Sequence, residues 1–123
     1  MSAYEIGKQL VSFCQQQKDL DSINTLYSPN AVSVEAGAME GTDRTKHGLD
    51  AIRGKHQWWT ENHAVHSVET SGPYPHGDNK FAVHFTYDVT NKPSGKRFKM
   101  DEIGVFEVAD DKVVREEYFY TMA

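Results

Sequence analysis

A chain of 123 residues is long enough to bury one hydrophobic core and too short for two. Hydrophobic residues make up 38% and charged residues 25%, which excludes a disordered or low-complexity chain. The net charge is -5 with Lys and Arg scattered, so neither nucleic acid nor an anionic membrane surface is an expected partner.

Cys14 is the one cysteine, which excludes an internal disulfide and a cysteine-rich metal site. The start MSAYEIGKQLVSF has no basic segment followed by an apolar run, so no signal peptide is expected. No stretch approaches the roughly 20 apolar residues of a membrane span. A cytoplasmic location is the expectation.

Between Ala3 and Gln17, Ile6, Leu10, Phe13 and Cys14 recur at helical spacing, which predicts an amphipathic first helix. Asp19 and Asp21 offer caps for a short second helix carrying Leu20, Ile23, Leu26 and Tyr27, stopped near Pro29. Ala31 to Glu35 reads as a strand, and AGAMEGTDRTKHG, with its glycines and no period, as a loop. From Gly48 to Asn62 a third helix places Leu49, Ile52, His56 and Trp59 on one stripe, with His63 at its end. That stripe is expected to face the sheet as the roof of a pocket, with Asp50, Arg53, Lys55 and Glu61 mostly off it.

The second half alternates with period two over Ala64–Ser71, Lys80–Thr90, Lys96–Ala109 and Lys112–Thr121. The connections GPYPHGDN, NKPSG and Asp110-Asp111 suit hairpins, so an antiparallel meander follows. Phe81, Val83, Phe85, Tyr87 and Val89 form one clean apolar row. The last two strands carry apolar residues on both faces, more than three helices can cover, and this predicts a homodimer. One of Glu116 and Glu117 must point inward, and alternation leaves open which.

The phrases DLDSINTLYSPNAVSVE, HGLDAIRGKHQWW, FAVHFTYDVT and MDEIGVFEVADDKVVREEYFY, in that order, resemble the SnoaL-like branch of the NTF2-like superfamily over nearly the whole chain. The resemblance implies an α+β fold of cone shape, with three N-terminal helices packed on a curved antiparallel sheet around an apolar pocket. Some such domains are enzymes and others bare binding cavities, so fold does not fix function. In ketosteroid isomerase-like members a carboxylate base ends the first strand and an acid sits on a later one. By that resemblance Glu35 takes the base position and Glu102 the acid position, with Asp101 competing. A helix-one tyrosine that completes the isomerase oxyanion hole aligns with Val11, so the steroid reaction does not carry over.

A carboxylate desolvated in an apolar pocket without a fixed cation would be raised toward neutrality, and Glu35 is expected to be such a group. His63 and His56 are further proton-transfer candidates. His63 and His66 form H-A-V-H, a spacing that suits one helical face, but here a helix passes into a strand and no HExxH pattern surrounds it, so no metal is expected. Neither a phosphate loop nor a dinucleotide fingerprint occurs, and no cofactor is implied. The expected function is acid–base chemistry by Glu35 with Glu102 or His63, as in an isomerase, cyclase or hydrolase, on a small apolar or aromatic molecule in a pocket lined by Leu49, Ile52, His56 and Trp59. The alternative is a non-catalytic ligand-binding or dimeric association domain.

Overall fold

The computed structural model describes residues 1–38 and 43–121. The Ser2 side chain accepts the Glu5 amide and starts α1 (Ala3–Gln15), which buries Ala3, Ile6, Gly7, Leu10 and Cys14. Its approach to the sheet is close: a Cβ on Gly7 would lie 2.7 Å from Pro73 Cβ, a separation that only glycine permits.

Helix α2 (Asp19–Leu26) departs from expectation at both ends. Lys18 occupies the cap position without a side-chain cap bond, so neither aspartate caps the helix. Tyr27 is already extended and opens β1 (Tyr27–Val34), which therefore contains Pro29 instead of following it. The register of β1 shifts between Tyr27 and Val32, so the amide that proline lacks is not missed by a regular ladder. Leu20 faces outward, whereas Ile23 and Leu26 enter the core.

The segment read as a loop contains a short strand, β2 (Thr45–His47), paired antiparallel with β1. Its residues 39–42 lie outside the described residues. Helix α3 (Leu49–Asn62) leads directly into β3 (His63–His76), followed by β4 (Lys80–Asn91), β5 (Lys96–Ala109) and β6 (Lys112–Phe119). Strand β3 runs through the GPYP segment that reads as a turn, and bulges after Val65 and Ser71 let it bend there.

The six strands form one sheet in the order β2-β1-β6-β5-β4-β3. Strands β3 to β6 are the expected meander, and β1 joins it by a parallel pairing with β6. Alternation then sorts the residues. Phe81, Val83, Phe85, Val89, Gly104, Phe106 and Val108 are buried toward the helices, where Phe81 stacks on Phe106 at 5.1 Å and Ile6, Leu10 and Ile52 close over them. Ile103 and Phe119, directly opposite each other across β5 and β6, stay 39% and 50% exposed.

Candidate functional site

The register of β6 settles which glutamate turns inward. Glu116, beside Ser33 of β1 and Phe106 of β5, is 2% exposed, while Glu117 pairs with Arg115 and Arg44 on the other side. Taking a carboxylate out of water requires that its lone pairs be filled. Four donors fill them: the hydroxyls of Tyr27, Ser33 (2.6 Å) and Tyr118 (2.8 Å), and the Lys55 ammonium at 3.5 Å. Burial, reinforced by Glu116, pushes the Tyr27 and Tyr118 hydroxyls well above their ordinary range, so both remain donors.

Lys55 links this centre to Glu35. Its Nζ lies 2.5 Å from Glu35 Oε1, donates to Ser33 Oγ and sits 5.0 Å from the centre of the Tyr118 ring. Burial alone would lower the ammonium, but Glu116 and Glu35 together outweigh it and the net shift is upward. The helical wheel placed Lys55 off the buried stripe. Its long side chain corrects that reading by carrying the charge from the flank of α3 into the interior.

Glu35 also accepts the Tyr120 hydroxyl at 2.8 Å. The expected carboxylate without a fixed cation is thus not what the structure has at this position, because Lys55 is that cation.

Glu102 meets the description better. It lies partly buried on the inward row of β5 and makes no hydrogen bond or ion pair among the described residues. Burial, then the charge of Glu35, raises its carboxyl to about 8 even against Lys55. Its competitor Asp101 points outward to His84 (3.1 Å) and Thr86 (3.0 Å).

A cavity of about 240 Å³ opens between α3 and the β3–β4 side, walled by Cys14, Asp19, His56, Trp59, His63 and Tyr87 among others. His56 and Trp59 line this cavity. Ile52 is fully buried in the core and Leu49 packs against it, so neither is among the cavity walls.

His63 stacks on Trp59 at 3.8 Å, with Nδ1 3.0 Å from the Trp59 carbonyl and Nε2 3.4 Å from the Asn91 side chain. Both ring nitrogens are engaged, which fits a wall better than a proton carrier. His66 is exposed and bonded to Thr90, so the H-A-V-H pair is split. Among the described residues no three His, Cys, Asp or Glu side chains converge as a metal ligand set.

Sequence reasoning missed Asp19, Tyr27, Ser33, Lys55, Tyr118 and Tyr120. Asp19 is raised by burial and drawn back by His56 and the Cys14 thiol, while burial and Asp19 push that thiol far up and leave it inert. Among the described residues the interior thus holds a partly desolvated carboxyl without a hydrogen-bond partner, Glu102, together with a fixed Lys55–Glu35 pair.

The fold recurs in solved structures. A Mesorhizobium loti protein bearing the name SnoaL-like polyketide cyclase is 38% identical, with a TM-score of 0.89 over 98% of this chain and 100% of that one. A Bacillus subtilis protein named as an isomerase is 19% identical, TM-score 0.80, over 98% and 90%. An NTF2-like protein of Burkholderia thailandensis is 18% identical, TM-score 0.79, over 98% and 92%. No functionally curated protein matches the chain. The sequence model of the SnoaL-like domain matches residues 1–120, and the chain belongs to that family.

Proposed function

We propose that this domain is a cofactor-independent enzyme that moves a proton on a small, largely apolar molecule bearing a carbonyl, with Glu102 as the group that carries the proton. The supporting observation is the contrast between two carboxyls of one interior: Glu35 is held by Lys55 and Tyr120, whereas Glu102 has no hydrogen-bond or ion-pair partner among the described residues and is raised to about 8. A group tuned near neutrality both gives and takes a proton readily. In an enolisation the protonated Glu102 gives its proton to the carbonyl oxygen. The resulting carboxylate then removes one from the adjacent carbon and is restored. Burial, with the negative charge of Glu35 second, keeps Glu102 protonated at rest.

The test is deuterium uptake from heavy water at the methyl group of acetophenone. Glu102→Gln should lower the rate by about 100-fold or more, because the amide keeps the shape and cannot relay the proton. A variant as active as the parent would overturn the proposal. So would a Glu102 carboxyl titrating at the ordinary value of 4.5 instead of about 8 in a carboxyl-resolved NMR experiment.

The reading includes a homodimer built on the outer face of the sheet, supported by the exposed Ile103–Phe119 pair. Light scattering at micromolar concentration should give twice the chain mass of 13.9 kDa, and Phe119→Asp should halve it. A parent protein that scatters as a single chain removes the dimer from the reading.

A further inference from the structure

The two ends of the sheet differ in what they offer to another chain. At one end β2 is three residues long, whereas at the other β3 runs for 14 residues and pairs with β4 on one side. The outer edge of β3 faces no strand among the described residues, and an edge of this length is a template for a further strand. Much of it is broken up. Bulges after Val65 and Ser71, with Pro73 and Pro75 beyond, interrupt the spacing that an incoming strand would have to match. Between the bulges Ser67–Ser71 stays in regular register with β4, and there α1 intervenes.

The Gln15 side chain, in the last turn of α1, donates from its amide nitrogen to the Val68 carbonyl at 3.1 Å. Its oxygen accepts the Thr70 backbone amide at 2.9 Å and the Thr70 hydroxyl at 2.8 Å. Residues of an antiparallel strand turn both backbone groups to one neighbour and then to the other, so Val68 and Thr70 are the pair in this stretch that points away from β4. One carboxamide therefore makes the two bonds that a strand's peptide groups would make here. Gln15 is exposed, and a groove of about 430 Å³ between α1 and this edge, bounded by Val11, Gly72 and Pro73 among others, leaves room for a chain beside it. Glu69, exposed between the two bonded residues, would meet its own charge in an identical strand paired about this point.

We infer that Gln15 is an edge plug: it occupies the pairing place on β3 that the β3 of a second copy of this chain would take, antiparallel, and so keeps the protein from joining edge to edge. A strand edge fits an identical edge turned about a two-fold axis, because both offer donors and acceptors in the same alternation. The plug prevails because Gln15 is tethered beside its partners, at an effective concentration far above that of a second chain. With the amide gone, the Val68 carbonyl and the Thr70 N–H have only water or another strand to bond, and Glu69 is the remaining guard.

The test is made on the Phe119→Asp background, which keeps the outer face of the sheet out of the measurement. Sedimentation velocity from micromolar to millimolar concentration should find that protein as a single chain. Adding Gln15→Ala should tighten self-association by at least about 10-fold, and adding Glu69→Thr as well should tighten it further. Hydrogen exchange separates pairing from mere loosening of the helix. The Thr70 amide should exchange fast in the dilute Gln15→Ala protein and slowly in the concentrated one, because a second strand then covers it. Ile6→Val on the same background weakens the core, leaves Gln15 in place and should not associate. Gln15→Ala protein that stays a single chain at all concentrations overturns the inference. So does a Thr70 amide that exchanges equally fast when concentrated, or association of Ile6→Val to the same extent.

Discussion

Replacing Lys55 by methionine should lower the stability of the fold by about 3 kcal/mol, far more than loss of a surface ion pair would. The substitution keeps most of the apolar stem of the side chain and lacks its terminal ammonium. What it removes is the cation between Glu35 and Glu116, leaving a carboxylate that is 2% exposed with hydroxyl donors alone. Uncompensated buried charge, not lost attraction, is the larger part of that cost. Lys55→Met combined with Glu116→Gln should therefore recover much of the loss, because the amide removes the more deeply buried of the two orphaned charges and Glu35 stays partly exposed. Urea denaturation of the parent, both single variants and the double variant measures the coupling. A Lys55→Met effect under about 0.5 kcal/mol would show that the pair behaves as a solvated surface contact.

Stability should also fall as pH rises from about 4.5 to about 8, and Glu102 is the cause. Its folded carboxyl is raised to about 8 from a model value of 4.5, so between those limits the folded state holds a proton that the unfolded chain has released. Stability changes with pH as the difference between protons bound unfolded and folded, which is negative here. The contribution is complete below 4.5 and is lost progressively until about 8 is passed. The slope from this one group is at most about 1.4 kcal/mol per pH unit. Asp19, also raised by burial, adds a change of the same sign. Glu102→Gln should flatten the profile and leave the variant more stable than the parent at pH 8. A parent profile that rises across this window would contradict the assignment.

Much of this architecture is legible in the sequence, and the exceptions have physical causes. Period-two alternation found β4 most cleanly because its inward row is uniformly apolar over a long run, whereas the inward row of β5 carries Glu102. It also found the bulk of α3. The parallel union of β1 with β6 leaves no local trace, since the residues that meet are separated by most of the chain. Strand β2 is three residues long, below what alternation can register.

Polar residues in the interior were legible in proportion to how far their positions decide their contacts. Glu102 and Glu35 were singled out by resemblance, and the structure turns both side chains inward though neither lines the cavity. Lys55 was not, because a helical wheel records where a side chain leaves the axis and not where a flexible four-carbon stem ends. Tyr118 and Glu116 sat in a strand whose facing was ambiguous until the partner strands fixed it. Tyr27 looked like the end of a helix, whereas it opens the strand that brings its hydroxyl to Glu116.

The four-donor arrangement around Glu116 bears on the order in which the chain assembles. Its bonds to Tyr27 and Ser33 close loops of 89 and 83 residues. Closing so long a loop is entropically costly before other contacts hold its ends. Strands β3 to β6 can zip through short hairpins in turn, but β1 has its place only when β6 exists. During synthesis the first half of the chain therefore waits, with one long edge of β1 unpaired, until the strand carrying Glu116 has emerged. Truncating Tyr27 to Phe should accordingly leave the refolding rate nearly unchanged and quicken unfolding, since its bond forms after the rate-limiting step.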